Sequence, residues 1–276
     1  MSKRLAFLGP AGTNTEQAGL TYDPEATLLP FAPIPAVAAA VESGQADECV
    51  VPIENSLEGS VTDTLDLLVH DSTLSIRREL VLSISHHLVA NEGAATTDVK
   101  VIYSHPQALA QCRLYLADHF PDAEVVASLS TAAAVQKMKT GGLEAGAIAT
   151  ERASVIYGAK VLARGIEDSP NNMTRFVVLA PTDHTPTGSD KTSVCFSFDE
   201  DAPGILQSVL GEFASRSINL AKIESRPTRE SLGRYIFLVD LDGHRENALI
   251  KEALDSVRDQ VSMFKIFGSY PKHSRP

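Results

Sequence analysis

The 276-residue sequence contains no tryptophan, and aromatic residues make up only 6% of it, although hydrophobic residues reach 43%. Its core must therefore be built mainly from Ala, Val, Leu and Ile. No stretch approaches the roughly 20 consecutive apolar residues that cross a bilayer. The apolar run near the N-terminus, Leu5–Leu8, ends at Gly9-Pro10 and is shorter than the core of a secretory signal. We expect neither a membrane partner nor a signal peptide.

Cysteine is also scarce. The three cysteines, Cys49, Cys112 and Cys195, are odd in number and far apart in the sequence. This pattern supports neither a disulfide framework nor a close set of metal ligands, and it is typical of a reducing compartment. The sequence therefore predicts a cytoplasmic location and no bound metal.

Positive charge is in deficit, with a formal net charge of -11. Residues 1–188 hold 12 Lys and Arg against 22 Asp and Glu, whereas residues 189–276 hold 12 against 13. The overall sign argues against a nucleic-acid partner. If the first part binds an anion, local donors such as helix N-termini or well-placed arginines must attract it.

The chain divides into two parts that differ in pattern. The first alternates short apolar runs with helical patterns, which is typical of α/β architecture. Residues 181–191 are rich in Pro, Thr, Gly and Asp and are predicted to be a linker. The order strand, helix, strand, strand, helix, strand follows within about 80 residues, and it predicts a ferredoxin-like unit.

Three loops each follow a predicted strand and precede a predicted helix: Gly9–Thr13, Glu54–Ser60 and Ser104–Gln107. Such loops direct backbone N–H groups and hydroxyls toward the end of the strand. Taken alone, the first loop could be only a tight corner, and the residues of the second favour a helix capped by Ser60. None carries the glycine spacing of a dinucleotide or P-loop motif, and the neighbouring Ser104 and His105 do not predict a nucleophilic triad.

The stretch Asn172–Phe176 is the most informative, because Arg175 stands at the entry to an apolar strand. A charge in that position needs a partner, which could be a structural carboxylate or a substrate carboxylate held by the guanidinium. Adjacent side chains of a strand point in opposite directions. For the same reason His86 and His87 do not predict a metal pair. Glu54 is expected to bond to backbone, because a free carboxylate would be a poor neighbour for an anionic substrate.

Taken together, these loops resemble the prephenate dehydratase family. The matching motifs are Gly-Pro-x-Gly-Thr at Gly9–Thr13, Pro-Ile-Glu-Asn-Ser at Pro52–Ser56, Ser-His-Pro-Gln-Ala at Ser104–Ala108 and Asn-x-Thr-Arg-Phe at Asn172–Phe176. The resemblance implies an α/β, two-lobed, periplasmic-binding-protein-like (type II) catalytic domain over residues 1–187. Its lobes would be about 1–78 plus 166–182, and about 79–165.

The family's reaction is the loss of CO2 and water from prephenate, and it implies no cofactor and no metal. The resemblance assigns catalytic roles to Thr174, Arg175, Ser56 and Asn55, with Thr174 donating a hydrogen bond to the departing oxygen. It assigns substrate contacts to Thr13, Gly59, Ser60, Ser104, Gln107, Asn172 and Phe176. Asn14 and Thr15 depart from the family pattern after Thr13.

The second part, residues 188–276, resembles an ACT regulatory domain of the phenylalanine-binding type. The resemblance implies an amino-acid effector, expected to be phenylalanine, and a homodimer or homotetramer. The expected effector-binding residues are Gly204, Ile205, Leu206, Glu224, Ser225, Arg226 and Pro227. Ile205 is bulkier than the alanine that the family favours, which predicts a narrower pocket.

Two alternatives stay open at this point. Arogenate dehydratase performs the same chemistry on the amino-acid analogue of the substrate. A non-catalytic sensor of small anions or amino acids could use the same fold, although Thr174 and Arg175 argue for catalysis. A fusion with chorismate mutase would need an additional helical domain, for which the sequence offers no room.

Overall fold

The computed structural model describes residues 2–200, 202–228 and 233–273. Its contacts divide the chain into two compact units. The first extends to Thr64 and resumes over Leu80–Phe176, and the second comprises Leu65–Glu79 and the chain from Val177 onward. Within the described ranges, no helix combines the length and apolar character needed to cross a membrane.

Strands and helices alternate through the first two thirds of the chain. The strands are β1 Arg4–Leu8, β2 Thr27–Phe31, β3 Glu48–Asn55, β4 Gly59–Ser60, β5 Ser75–Ser83, β6 His87–Ala90, β7 Val101–Ser104, β8 Glu124–Ala127, β9 Ala145–Ala149, β10 Lys160–Ala163, β11 Met173–Ala180, β12 Asp190–Ser197, β13 Leu220–Pro227, β14 Tyr235–Asp242 and β15 Met263–Pro271. The α-helices are α1 Asn14–Tyr22, α2 Ile34–Glu42, α3 Thr62–Asp66, α4 Pro106–Gln111, α5 Arg113–His119, α6 Thr131–Lys139, α7 Glu151–Ile156, α8 Ile205–Ser215 and α9 Ala248–Arg258. A π-helical turn, Leu67–Asp71, continues α3.

The first sheet has the strand order β2-β1-β3-β11-β5, with β4 paired to β3. Strands β1, β2 and β3 are parallel, and α1 and α2 connect them. The runs Leu5–Phe7 and Cys49–Val51 are completely or almost completely buried, as expected for parallel strands covered on both faces. This sheet forms the first lobe of the catalytic part.

The second sheet has the order β10-β6-β9-β7-β8 and forms the second lobe. Its central strand β9 is fully buried along its length. Small residues such as Ala145 and Ala147 let α6 pack closely against the sheet through Ala134 and Met138. Two connected sheets of this kind confirm the two-lobed α/β fold predicted from the sequence.

The C-terminal sheet has the order β13-β14-β12-β15, and α8 and α9 supply its helical layer. Val194 and Phe196 of β12 pack with Val209 and Phe213 of α8 in one apolar cluster. Strand order and element order are those of a ferredoxin-like βαββαβ unit, so this part of the predicted fold is also confirmed. The domain boundary predicted at residue 187 stays a prediction.

The second unit includes a segment from the middle of the sequence, Leu65–Glu79. Lys191 Nζ lies 2.8 Å from Glu79 Oε2, and both side chains are largely buried. Lys265 Nζ donates to the Ser72 carbonyl at 2.9 Å. Cations near the end of a helical turn stabilise its unpaired carbonyls, so Lys265 ties the π-helical turn to β15.

Gly268 of β15 has φ +147, and a Cβ placed there would meet the backbone of Ile76 in this segment. We expect Gly268→Ala to lower the free energy of unfolding of the second unit by about 3 kcal/mol, since it combines backbone strain with overpacking. The measurement is urea unfolding followed by circular dichroism.

The matched control is Gly211→Ala in α8, where an added Cβ meets nothing within 4 Å. It should raise stability by about 1 kcal/mol, because alanine favours a helix over glycine. If Gly268→Ala unfolded at the same urea concentration as the unmodified protein, the close approach to Ile76 would not constrain the fold.

Candidate functional site

A cavity of about 570 Å³ lies among the ends of strands and helices of both lobes in the first unit. Its size falls within the range usual for small-molecule sites. The lining residues are Leu8, Gly9, Pro10, Thr13, Asn14, Thr15, Ala32, Pro52, Asn55, Ile84, His86, His105, Gln107, Ala108, Gln111, Leu129, Ser130, Thr131, Ala133, Asn172, Thr174 and Phe176. None of these lining residues, all of which the structure describes, is Asp, Glu, Lys or Arg.

The turn Gly9–Thr13 leads from β1 into α1. Thr13 caps the helix, accepting from the Glu16 N–H at 3.3 Å, and its hydroxyl donates to the Leu8 carbonyl at 3.1 Å. The second lobe holds this turn, because the Thr150 hydroxyl donates to the Gly12 carbonyl at 2.6 Å. Gly12 has φ +92, and a side chain there would press on α7. The cap position of Thr13 therefore depends on contacts from both lobes.

Asn55, at the end of β3, occupies the centre of a polar network. Its Oδ1 accepts from the backbone N–H groups of Leu57 and Glu58 at 3.0 and 3.1 Å. Its Nδ2 donates to Asn172 Oδ1 and to Thr174 Oγ1, each at 2.8 Å. Since Thr174 Oγ1 accepts from Asn55, the proton of the Thr174 hydroxyl remains available to a molecule in the cavity.

Ser56 lies next to Asn55 but does not line the cavity. Its Oγ donates to the Asn171 carbonyl at 3.0 Å and accepts from the Met173 N–H at 2.9 Å. Ser56 therefore fixes the entry to β11, and through it the position of Thr174.

The helix α4 brings a second group of residues to the cavity. His105 caps it, accepting at Nδ1 from the Gln107 N–H at 3.3 Å. Burial lowers the pKa of His105, in agreement with an Nδ1 that accepts a hydrogen bond. Ser104 is fully buried, its hydroxyl donates to the Ile148 carbonyl at 2.7 Å, and it does not line the cavity.

Arg175 points away from Thr174, as the alternation of a strand requires. Its Nη1 lies 3.6 Å from Glu54 Oε2, and Arg175 does not line the cavity. Gly59 and Ser60 form β4 opposite Asn55 and Glu54, and they also lie outside the lining. Of the eleven residues predicted for catalysis and substrate binding, the lining includes Thr13, Asn55, Gln107, Asn172, Thr174 and Phe176.

Several lining residues were not predicted from the sequence. Gln111 lies one turn after Gln107 on α4, and its Oε1 accepts from Asn172 Nδ2 at 2.9 Å. Ser130 caps α6 by accepting from the Ala133 N–H at 3.0 Å. The spacing of Gln107 and Gln111 by four residues was a usable signal, because such residues share a helix face.

The N-termini of α1 and α6, one from each lobe, open onto the same cavity through Thr13 and Ser130. A helix N-terminus carries partial positive charge and unpaired N–H groups, so it favours anions. The cavity can thus hold a negatively charged molecule with neutral groups. Within residues 2–200, 202–228 and 233–273, no cluster of three or more His, Cys, Asp or Glu could hold a metal ion.

The predicted effector motifs lie in the second unit. Gly204, with φ +88, precedes α8, and Gly204, Ile205 and Leu206 line a cavity of about 330 Å³ together with Phe198, Tyr235 and Phe237. The strand β13 pairs Ser225 with Phe237 and Pro227 with Tyr235. The motif Glu224–Pro227 therefore lies on the strand next to β14, whose Tyr235 and Phe237 line this cavity of about 330 Å³.

Two side chains of the second motif form ion pairs. Glu224 Oε2 lies 3.3 Å from Lys222 Nζ. Arg226 Nη2 lies 3.3 Å from Asp66 Oδ1, where both side chains are mostly buried. Arg226 therefore connects β13 to Asp66 in the segment Leu65–Glu79, which belongs to the second unit.

Comparison with known proteins supports the resemblance. Residues 5–184 match the family model "Prephenate dehydratase", and residues 200–259 match the model "ACT domain". The bifunctional chorismate mutase/prephenate dehydratase of Aquifex aeolicus (strain VF5) is 42% identical over 98% of this chain and 74% of its own length.

Solved structures agree with this result. Prephenate dehydratase from Arthrobacter aurescens, in complex with L-Phe, superposes with a TM-score of 0.90 at 38% identity, covering 98% of this chain and 90% of that one. GqqA, described as a novel type of quorum quenching acylase, superposes with a TM-score of 0.88 at 30% identity, covering 98% of each chain.

The family recognised from sequence motifs is confirmed by a family model that spans most of the chain and by relatives aligned over nearly all of it. The chain belongs to the prephenate dehydratase family, a family of lyases, and carries an ACT domain C-terminal to its catalytic part.

Proposed function

We propose that this protein converts prephenate to phenylpyruvate, CO2 and water in the biosynthesis of L-phenylalanine. The observation that carries the proposal is the Thr174 hydroxyl, whose oxygen accepts from Asn55 Nδ2 at 2.8 Å in the wall of the cavity. This arrangement leaves the hydroxyl proton for a ligand. A hydrogen-bond donor is what the departing hydroxyl of prephenate needs.

Apart from this donor, the reaction requires few groups from the protein. The electron pair of the bond to the ring carboxylate moves into the ring as CO2 leaves, and the hydroxyl departs from the opposite carbon as water with one added proton. Aromatisation drives the reaction. A threonine hydroxyl is too weak an acid to transfer a full proton early, but its hydrogen bond polarises the departing oxygen, and the proton comes ultimately from solvent.

The two carboxylates of prephenate are held by neutral groups in this proposal. The N-termini of α1 and α6 and the amide of Gln107 supply the donors. Holding the dianion in one orientation aligns both breaking bonds at once, which is where much of the rate enhancement arises. This differs from the role assigned to Arg175 from the sequence, because Arg175 lies outside the cavity lining and pairs with Glu54.

Thr174 provides the first test. Thr174→Val keeps the shape of the side chain but removes the donor, and we expect kcat to fall about 100-fold, as for the loss of one transition-state hydrogen bond. The measurement is phenylpyruvate absorbance after mixing purified protein with prephenate.

Thr174→Ser is the matched control, since it retains the hydroxyl and should keep most of the turnover. Thermal unfolding of both variants separates lost chemistry from lost folding. Full turnover by Thr174→Val would remove the central residue from the mechanism.

Arg175 and Glu54 provide the second test. If Arg175 acts by fixing β11 through its ion pair, Arg175→Gln and Glu54→Gln should each lower kcat/KM about fivefold. The double variant should be no slower than either single one, because paired residues are not additive. A rise in KM for Arg175→Gln alone, with Glu54→Gln unaffected, would instead assign Arg175 to direct carboxylate binding.

The acylase named among similar structures raises a second reaction class, but the site does not favour it. An acyl-transfer nucleophile needs a base within hydrogen-bond reach. Of the hydroxyls in the described lining, Thr13 donates to the Leu8 carbonyl, Thr174 accepts from the Asn55 amide and Ser130 accepts from backbone, so these three are engaged with groups other than a base.

Turnover of arogenate in place of prephenate would identify the close alternative substrate, and no turnover of either would favour a sensor.

The ACT domain would make the enzyme responsive to phenylalanine. Gly204–Leu206 line an aromatic cavity suited to an amino-acid side chain, and L-Phe is bound by the similar Arthrobacter protein. A homodimer or homotetramer is part of the proposal. We also place the protein in the cytoplasm, because its three cysteines, Cys49, Cys112 and Cys195, are buried and too far apart in the sequence to suggest a disulfide framework.

We expect L-phenylalanine to inhibit turnover and the protein to elute at two or four times its 29.5 kDa chain mass. Gly204→Ala should raise the half-inhibiting concentration about tenfold, because an alanine at φ +88 is strained and displaces the start of α8. Light scattering and inhibition curves give both results. A monomer insensitive to phenylalanine would contradict the regulatory half of the proposal and leave the catalytic half intact.

A further inference from the structure

His86 lies between β5 and β6 and is 3% exposed, although it belongs to the lining of the catalytic cavity. Its Nε2 is 2.9 Å from Gln111 Oε1. The sequence pattern His86-His87 alone suggested nothing beyond two ordinary histidines of a strand. The contact with Gln111 connects His86 to the polar network that contains Thr174.

The direction of each hydrogen bond in this network follows from the backbone. Because Leu57 and Glu58 donate to Asn55 Oδ1, the Asn55 amide must donate through Nδ2, and Asn172 accepts at Oδ1. The Asn172 amide is thereby oriented to donate to Gln111 Oε1. Oε1 is an acceptor only, so His86 Nε2 must carry a proton and donate as well.

Two donors therefore hold the same oxygen of Gln111. Turning the amide over would place its NH2 group against two other donors, Asn172 Nδ2 and His86 Nε2, and leave buried polar groups unpaired. The NH2 group of Gln111 keeps one hydrogen toward Glu58 Oε1 at 3.4 Å. Its second hydrogen stays available as a donor in a cavity that must bind an anion.

We propose that His86 is a positioning residue that acts through Gln111, fixing the amide so that its NH2 group faces an anionic substrate. The inference rests on the proposed dehydratase activity and deepens it. It also specifies the tautomer of His86: Nε2 is protonated and Nδ1 is not. Nδ1 has no hydrogen-bond partner among the residues that the structure describes, so a proton there would be a buried donor without an acceptor.

His87 supplies a matched control. It is also buried, but its Nδ1 accepts from the Gly165 N–H at 3.2 Å and it does not line the cavity. A change at His87 perturbs the same stretch of chain and leaves the Gln111 amide held.

The kinetic test compares His86→Leu, His86→Gln, Gln111→Ala and the double variant His86→Leu/Gln111→Ala. We expect His86→Leu to lower kcat/KM about tenfold, and His86→Gln to recover it to within about twofold, because its carboxamide restores the donor. In the Gln111→Ala background, His86→Leu should cause no further loss.

A purely structural role predicts a different outcome. His86→Leu would then slow the Gln111→Ala enzyme by the same factor as the unmodified one, and His87→Leu would lower turnover equally. Either result would overturn the inference, as would full activity of His86→Leu. Thermal unfolding of each variant shows which of them folds.

The tautomer is measured independently of turnover by long-range ¹H–¹⁵N correlation spectra of histidine-labelled protein, with His86→Gln assigning the signal. A protonated Nε2 with an unprotonated Nδ1 supports the inference, and the reverse overturns it. If the unmodified protein did not turn over prephenate, the proposed function would fail while this result still tested the hydrogen bond to Gln111.

Discussion

Two backbone N–H groups, those of Leu57 and Glu58, set the direction of the hydrogen bonds that run from Asn55 through Asn172 to Gln111. They occupy Asn55 Oδ1, which obliges the Asn55 amide to donate toward Thr174. Reversing any later bond would set two donors or two acceptors against each other in a buried place, at a cost of about 1–3 kcal/mol for each unpaired group. The chemical roles in this wall are thus a consequence of how the chain turns after β3.

The same constraint explains how a strongly acidic chain can host a dianion. Charged side chains are missing from the described lining of the cavity, so a bound carboxylate meets oriented dipoles instead of mobile counter-charges. The donors come from two lobes, and the bond from Thr150 to the Gly12 carbonyl keeps the turn before α1 in place. Such fixed dipoles need little reorganisation when charge moves during the reaction. Arg175 lies outside this lining and pairs with Glu54.

Much of the fold could be predicted because its signals are local. The sequence pattern predicts β1 and β3 from their apolar runs. It also predicts the βα turn at Gly9–Thr13. The edge strands β2 and β10 were not predicted, because neither is a run of buried residues, and β2 contains a proline. Contacts between residues far apart in the sequence could not be predicted either. The sequence left open whether Arg175 pairs with a structural or a substrate carboxylate, and the structure shows that it pairs with Glu54. The roles of His86 and Gln111 depend on Asn172, more than 60 residues away from Gln111, so no pattern within one helix or strand could reveal them.

The segment Leu65–Glu79 is relevant to how an effector could influence the hydrogen bonds of Asn55. The segment clusters with the C-terminal unit, and Arg226, inside the predicted effector motif, pairs with Asp66. Asp66 follows the turn around Leu57 and Glu58 by fewer than ten residues of chain. An effector acts on catalysis only if it binds two states of the protein unequally. A change at β13 that altered the Arg226–Asp66 pair would act close in sequence to the two N–H groups that orient Asn55.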